Sequence, residues 1–220
     1  MITELEAVIP PPAEEREGAG DDHPMRIVTR EVAFEPERWT PERRAKVAAL
    51  FDGLAPEWHT RWSPGRLAQV PDALDRGLTA AGWSTPAGGA TCVELGSGTG
   101  MFTALLAERF ATVVALDLAM EMLRLAPAGV GQRVQGDASE LPLAGGSVDV
   151  LVLINALLFP AEADRVLAAS GALVWVNSGG ERTPIHLPVV DVAAALPGRW
   201  DGVESRAHEG TWGVLLRRNG

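Results

Sequence analysis

VELGSGTGMF, Val93 to Phe102, is the stretch on which the fold turns. An apolar run carrying one acid, Glu94, gives way to glycines at positions 96, 98 and 100. Glycine reaches backbone conformations closed to other residues and lets a ligand approach where a Cβ would block it. An apolar strand, a glycine turn and a helical stretch form the opening unit of an open α/β sheet. Ligands of such sheets sit at the carboxyl ends of the strands. Two nucleotide loops compete for the stretch. A phosphate loop needs a lysine after its last glycine, and none follows Gly100. A dinucleotide loop needs a small residue where Met101 stands, although Asp117 lies at a fitting distance for a ribose.

Downstream, strands and helices alternate. Thr91–Leu95, Thr112–Leu116, Arg133–Gln135, Val148–Ile154 and Ala172–Asn177 read as strands. Met101–Phe110, Met120–Ala126, Ala161–Ser170 and Val189–Leu196 read as helices. Val203–His208 and Thr211–Arg217 form a terminal hairpin around Glu209-Gly210. This pattern predicts an α/β, Rossmann-like open sheet of about seven strands. It is mostly parallel, ends in an antiparallel C-terminal hairpin, and carries helices on both faces.

Upstream, residues 1–24 are acidic and proline-rich and read as a disordered leader, dispensable for folding. Ile27–Phe34 reads as a short extended segment. Thr40 and Pro41 make a helix start, as N-cap and first helical residue. A second amphipathic stretch runs from Pro64 to Ala81. Residues 25–85 are therefore expected to form an N-terminal helical cap or substrate lid, with the core at 86–220. Trp39, Trp58, Trp62 and Trp83 all precede that core, as packing or as walls of an apolar pocket.

The bulk composition sets limits. Hydrophobic residues make up 46%, enough for a large core. A net charge of -10 disfavours a nucleic-acid partner, since such binding rests on neutralising phosphates. The single cysteine, Cys92, excludes an internal disulfide and reads as a buried strand residue. No metal is expected. With no secretory signal and no membrane span in its apolar pattern, the chain is expected in the cytoplasm, as a monomer or homodimer.

Three motifs in order carry a resemblance. Glu94-Leu95-Gly96-Ser97-Gly98-Thr99-Gly100 is followed by VVALDLAMEML, residues 113–123, and QGDASELPLAGGSVDVLVL, residues 135–153. Together they resemble class I S-adenosylmethionine-dependent methyltransferases, in the small-molecule, methyltransferase type 11-like branch. The resemblance implies S-adenosylmethionine as cofactor and S-adenosylhomocysteine as product. It implies that Gly96, Ser97, Gly98 and Gly100 lie under the methionine part and ribose. Glu94 would take the ammonium, Asp117 the ribose hydroxyls and Leu118 the adenine face. Asp137 would take the adenine amino group, the Ala138 amide a ring nitrogen, and Asn155 would face the sulfonium.

Methyl transfer needs proximity and alignment first, and a base only where the nucleophile must lose a proton. His186 and His59 are the candidates for a base or substrate contact, with ordinary structural histidines as the alternative. The segment after the fourth strand, Asn155-Ala156-Leu157-Leu158, lacks the proline pair of enzymes that methylate amino groups of bases. A small-molecule acceptor is the leading expectation. The alternatives are a cofactor-binding regulatory or partner subunit without catalysis, and a protein or tRNA methyltransferase.

Overall fold

The architecture follows from alternation along the strands. In Val148–Ile154, Val150, Val152 and Ile154 face one helical layer, while Leu151 and Leu153 face the other. A strand apolar on both faces belongs inside a sheet covered on both sides. The computed structural model describes residues 1–13, 18, 20 and 22–218. Its strands are β1 (Ile2–Glu4), β2 (Thr91–Leu95), β3 (Thr112–Asp117), β4 (Gln132–Gln135), β5 (Val148–Ile154), β6 (Leu167–Asn177), β7 (Trp200–Ala207) and β8 (Gly210–Arg217). They form one sheet of eight strands in the order β1-β7-β8-β6-β5-β2-β3-β4. β8 runs antiparallel to both its neighbours, and the other pairings are parallel.

The helices are α1 (Pro24–Phe34), α2 (Pro41–Leu54), α3 (Pro64–Pro71), α4 (Leu78–Ala81), α5 (Thr103–Ala107), α6 (Met120–Leu125), α7 (Pro160–Val166) and α8 (Val189–Ala195). A π-helical turn, Asp72–Gly77, joins α3 to α4. Thr40 caps α2 as expected, its hydroxyl accepting the Arg43 amide at 3.3 Å with Pro41 in the first turn. One core layer joins Leu151, Leu153, Trp175 and Leu215 to Leu158, Val166, Val192 and Leu196. The other joins Cys92, Val152, Val174, Trp212 and Val214 to Val70, Leu74, Leu78, Leu106 and Phe110.

Four expectations are corrected. Ile27–Phe34 is helical, not extended. Its β-branched residues favour a strand, but Met25, Thr29, Val32 and Ala33 are buried at helical spacing, and His23 Nδ1 accepts the Met25 amide at 3.1 Å. The helix after β5 ends at Val166 instead of Ser170, because Leu167 pairs with Val148 and an irregularity in the pairing carries the chain into β6. Residues 64–81, expected in the cap, pack on the sheet itself. A Cβ at Gly77 would lie 2.8 Å from the Trp212 and Val214 side chains, so backbone meets sheet directly there. Finally, the leader is not wholly without structure. Ile2–Glu4 pairs with Gly202–Glu204, and Ile9 bridges to Ala207. The parts of the expected leader at 14–17, 19 and 21, and residues 219–220 of the expected core, lie outside the described residues.

Candidate active site

A cavity of about 470 Å³ opens at the carboxyl ends of β2 to β6. The loop after β2 forms its floor. Gly96, Gly98 and Gly100 all have positive φ, at 67°, 56° and 73°. A Cβ on Gly96 would approach the Ala156 Cβ to 2.8 Å, whereas the space above Gly98 is bounded by the Trp58 indole at 3.5 Å. Gly98 is thus the floor position open to a ligand, and Gly96 is where two loops touch. Gly100 lies off the cavity wall, its amide donating to the Ser97 carbonyl at 3.0 Å. Ser97 does line the cavity, and its buried Oγ has no partner.

Asp117 ends β3 beside this loop. Its Oδ2 accepts the Gly98 amide at 2.7 Å, and its Oδ1 accepts the Ala119 amide at 2.8 Å. Burial raises its pKa, against the opposing pull of those two amides. A carboxylate offers about four acceptor positions. The Leu118 amide adds to the pull of the other two, and the carboxylate keeps acceptor capacity for a hydroxyl-bearing ligand. Leu118, Asp137 and Ala138 line the same end of the cavity.

Asp137 is more heavily engaged. Its Oδ1 accepts the Ser139 amide at 2.8 Å, and the Trp39 indole N–H reaches both oxygens at 3.1 Å. Arg44 adds a contact to Oδ2 at 3.2 Å. Burial pushes this carboxyl up, but the Ser139, Trp39 and Arg44 donors outweigh it and hold it below its ordinary value. An amino group arriving at Asp137 must displace one of the cap's donors. Trp39 also meets Phe159 edge to face, with ring centroids 5.2 Å apart, which fixes the cap over the Asp137 end of the cavity.

Glu94 sits differently from the expectation. It is 1% exposed, does not line the cavity, and accepts the Thr103 hydroxyl at 2.6 Å. Burial pushes its pKa to about 8, countered by the Thr103 hydrogen bond and reinforced by the nearby Asp117 charge. In this structure it ties β2 to the start of α5 beneath the glycine loop.

Asn155 has a φ of 50°, a left-handed conformation that asparagine tolerates better than most residues. Its side chain clamps the ends of β5 and β6. Oδ1 accepts the Ser178 amide at 2.9 Å, and Nδ2 donates to Ser178 Oγ at 2.7 Å. Ser178 Oγ also accepts Arg66 Nε at 3.1 Å. Asn155 lines the cavity through this clamp.

Neither candidate histidine reaches the cavity wall. His59 is exposed and contacts the Pro56 carbonyl at 3.1 Å within its own turn. His186 is 8% exposed and buried beside the chain that follows β6. The histidine that does line the cavity is His23. Its Nδ1 accepts a backbone amide, so its neutral form carries the proton on Nε2 and offers a donor there. Sequence spacing gave no sign of His23, Arg44 or Ser178. Trp39 and Trp58 did carry one, as aromatic residues crowded ahead of the core. Of the other two tryptophans, Trp62 is 55% exposed and Trp83 packs on Phe110.

Part of the chain is similar to known proteins. Residues 93–175 match the family described as "Methyltransferase domain". An uncharacterized methyltransferase of Mycobacterium tuberculosis is 38% identical over 128 residues, covering 54% of this chain and 49% of the relative. The biotin biosynthesis bifunctional protein BioHC of Cellvibrio japonicus is 50% identical over 119 residues, covering 53% of this chain and 23% of that protein. The chain spans about half the length, or less, of these curated relatives. Among solved structures, a DhpI–SAH complex superposes with a TM-score of 0.60 at 19% identity, over 79% of this chain and 96% of that one. At that identity the likeness speaks for the fold. The glycine loop and the acids ending β3 and β4 all lie within residues 93–175, the span that resembles the methyltransferase domain.

Proposed function

We propose that this chain transfers a methyl group from S-adenosylmethionine to a small molecule held in the cavity. The observation that carries the reading is Asp117. It holds the glycine loop by the Gly98 amide and lines the cavity at the end of β3, a carboxylate placed to accept from a ligand's hydroxyls. The buried, unpartnered Ser97 hydroxyl beside it supports the same ligand, because a buried polar group without a partner is costly unless something arrives to meet it. These groups fit a nucleoside joined to an amino acid, with Leu118 and Ala138 along the base.

When bound, the sulfonium cofactor supplies a methyl group already activated for displacement. The chain's own work is alignment and exclusion of water. Asp117 orients the ribose end, and Asp137 receives the base once a cap donor yields. The Asn155–Ser178 clamp fixes the wall where β5 and β6 end. α2 and the turn after it, with Phe51, Leu54 and Trp58, close the cavity from above. Holding two reactants at attack distance supplies much of the barrier reduction for a displacement of this kind.

Calorimetry with S-adenosylmethionine and S-adenosylhomocysteine tests the reading. Both are expected to bind, and Asp117→Ala is expected to weaken S-adenosylhomocysteine about tenfold or more, for two lost hydrogen bonds to a charged group. A folded chain that bound neither would overturn the proposal.

A further inference from the structure

We propose that Glu209 is the substrate contact at the acceptor end of the cavity: its carboxylate receives the hydrogen of a hydroxyl or amine on the methyl acceptor. The inference rests on the methyltransferase reading and names the kind of nucleophile the site takes.

The sheet order brings this acid to the cavity. β8 runs antiparallel to β6, and Thr211 pairs with Asn177 at the end of β6. The turn between β7 and β8 therefore lies at the carboxyl edge of the parallel strands, where ligands of such sheets sit. Glu209 occupies that turn, half-buried, and lines the cavity. The other carboxylates on the wall, Asp117 and Asp137, stand at the end over β3 and β4.

The turn is tightly seated. A Cβ on Gly180 would meet the Glu209 carbonyl at 3.0 Å, and one on Gly210 would meet Gln69 Oε1 at 2.5 Å and the Asn177 carbonyl at 2.7 Å. His208 has a φ of 54°, uncommon outside glycine. Its amide donates to the Ile9 carbonyl at 3.1 Å, and its ring lies against Gly65. Nδ1 of that ring and Oε1 of Gln69 are both buried without a partner. A left-handed residue and unpaired buried atoms around one turn oppose folding. Such features gather where a site fixes the aim of a side chain. The side chain at the tip of this turn is Glu209.

Its chemistry is that of an acceptor. An ionised carboxylate accepts hydrogen bonds and donates none. The cations on the same stretch of wall are engaged elsewhere. Arg66 donates to Ser178 Oγ at 3.1 Å and to the Arg61 carbonyl at 2.5 Å, and Arg61 lies over the Trp58 ring, 4.6 Å from its centroid. Arg182 has a partner as well. Among the described residues, none donates to the Glu209 carboxylate. His23 has Nδ1 committed to the Met25 amide, so its neutral ring offers a donor and no base. An O–H or N–H group is the complement of a carboxylate so placed. On transfer, the acceptor's oxygen or nitrogen forms its bond to the methyl carbon, and the pair of the broken C–S bond stays on sulfur. The proton released passes to Glu209 and from this half-buried position to water.

The test uses the full chain saturated with S-adenosylhomocysteine and two matched pairs of probes. Phenol is set against anisole, and aniline against N,N-dimethylaniline, so that methyl groups replace the hydrogens on the heteroatom. Dissociation constants are read by ligand-observed NMR titration near neutral pH. In at least one pair the hydrogen-bearing member is expected to bind about tenfold or more tightly, as for a hydrogen bond to a charged group. Glu209→Ala is expected to cut that preference below about threefold, and Glu209→Gln, which keeps an acceptor oxygen without the charge, to fall between. S-adenosylhomocysteine is expected to bind both variants as it binds the wild type. Equal binding within both pairs, no binding of any probe, or a preference surviving Glu209→Ala would overturn the inference. Failure of S-adenosylhomocysteine to bind the wild type is read in its own titration and counts against the parent reading alone.

Discussion

At the scale of single residues, Glu94 shows how a motif position can hold a role that spacing does not reveal. The sequence places an acid two residues before Gly96, and the family resemblance gives it to the ligand's ammonium. The structure buries it behind the loop, where it accepts from Thr103. Its carboxyl titrates near 8 in the fold and near 4.5 in the unfolded chain. Between those values the folded chain binds the extra proton, so stability is fullest below about pH 4.5 and falls as pH rises towards 8. The slope from this one group approaches about 1.4 kcal/mol per pH unit. Glu94→Gln keeps an acceptor for Thr103 and removes the titration. It should flatten the stability profile between pH 5 and 8 and leave the variant more stable than the wild type at pH 8, by chemical denaturation at each pH. S-adenosylhomocysteine affinity should stay within about threefold, since Glu94 is off the cavity wall. A larger loss would restore the ammonium role. Asp117's place on the cavity wall was legible, because it ends the strand beside the glycine loop at the carboxyl edge of the sheet. Glu94's burial was not, because one-dimensional spacing carries no depth.

At the scale of elements, the cap is where sequence and structure diverge. The stretch from Pro64 to Ala81 is amphipathic whether it lies over a site or on a sheet, and its stripe cannot say which apolar surface it meets. Gly77 was the available clue, a glycine inside a helical pattern where Trp212 and Val214 come within contact of the backbone. What remains over the cavity is α1, α2 and the turn carrying Trp58, latched by Trp39 and Arg44 to Asp137. That latch competes with any amino group approaching the same carboxylate. Trp39→Phe keeps the ring against Phe159 and deletes the competing N–H. It should tighten S-adenosylhomocysteine binding by about fivefold, the worth of roughly one neutral hydrogen bond. It should also raise the susceptibility of residues 35–62 to limited proteolysis without ligand, because the cap loses its tie to the loop after β4. Unchanged affinity together with unchanged proteolysis would show that the indole N–H does not hold the cap.

At the scale of the whole molecule, the sheet was largely legible because every central strand is bounded by turn signals and apolar on both faces. Its far edge was not. Ile2–Glu4 is short and half polar, and the composition of the segment after it suggests a chain with nothing to bury. Its partner lies about two hundred residues away, so no local pattern could announce the pairing. Yet the contacts go beyond three paired residues. The Leu5 amide donates to the Glu204 carbonyl at 2.8 Å, Arg76 Nη1 reaches the Glu6 carbonyl at 2.9 Å, and the Ser205 hydroxyl donates to the Leu5 carbonyl at 3.0 Å. The leader thereby covers β7, which without it would present an open row of amides and carbonyls, a template for pairing with other chains. Removing residues 2–9 should therefore lower the melting temperature by about 4–8 °C, taking roughly 2 kcal/mol at 2–4 °C per kcal/mol for a domain of this size. It should also raise concentration-dependent association, followed by light scattering at several protein concentrations. Adenosylhomocysteine binding should survive, because the cavity lies at the opposite half of the sheet, over β2 to β6. A truncated chain that melted with the full-length one and stayed equally monodisperse would show that β1 adds nothing to the sheet it extends.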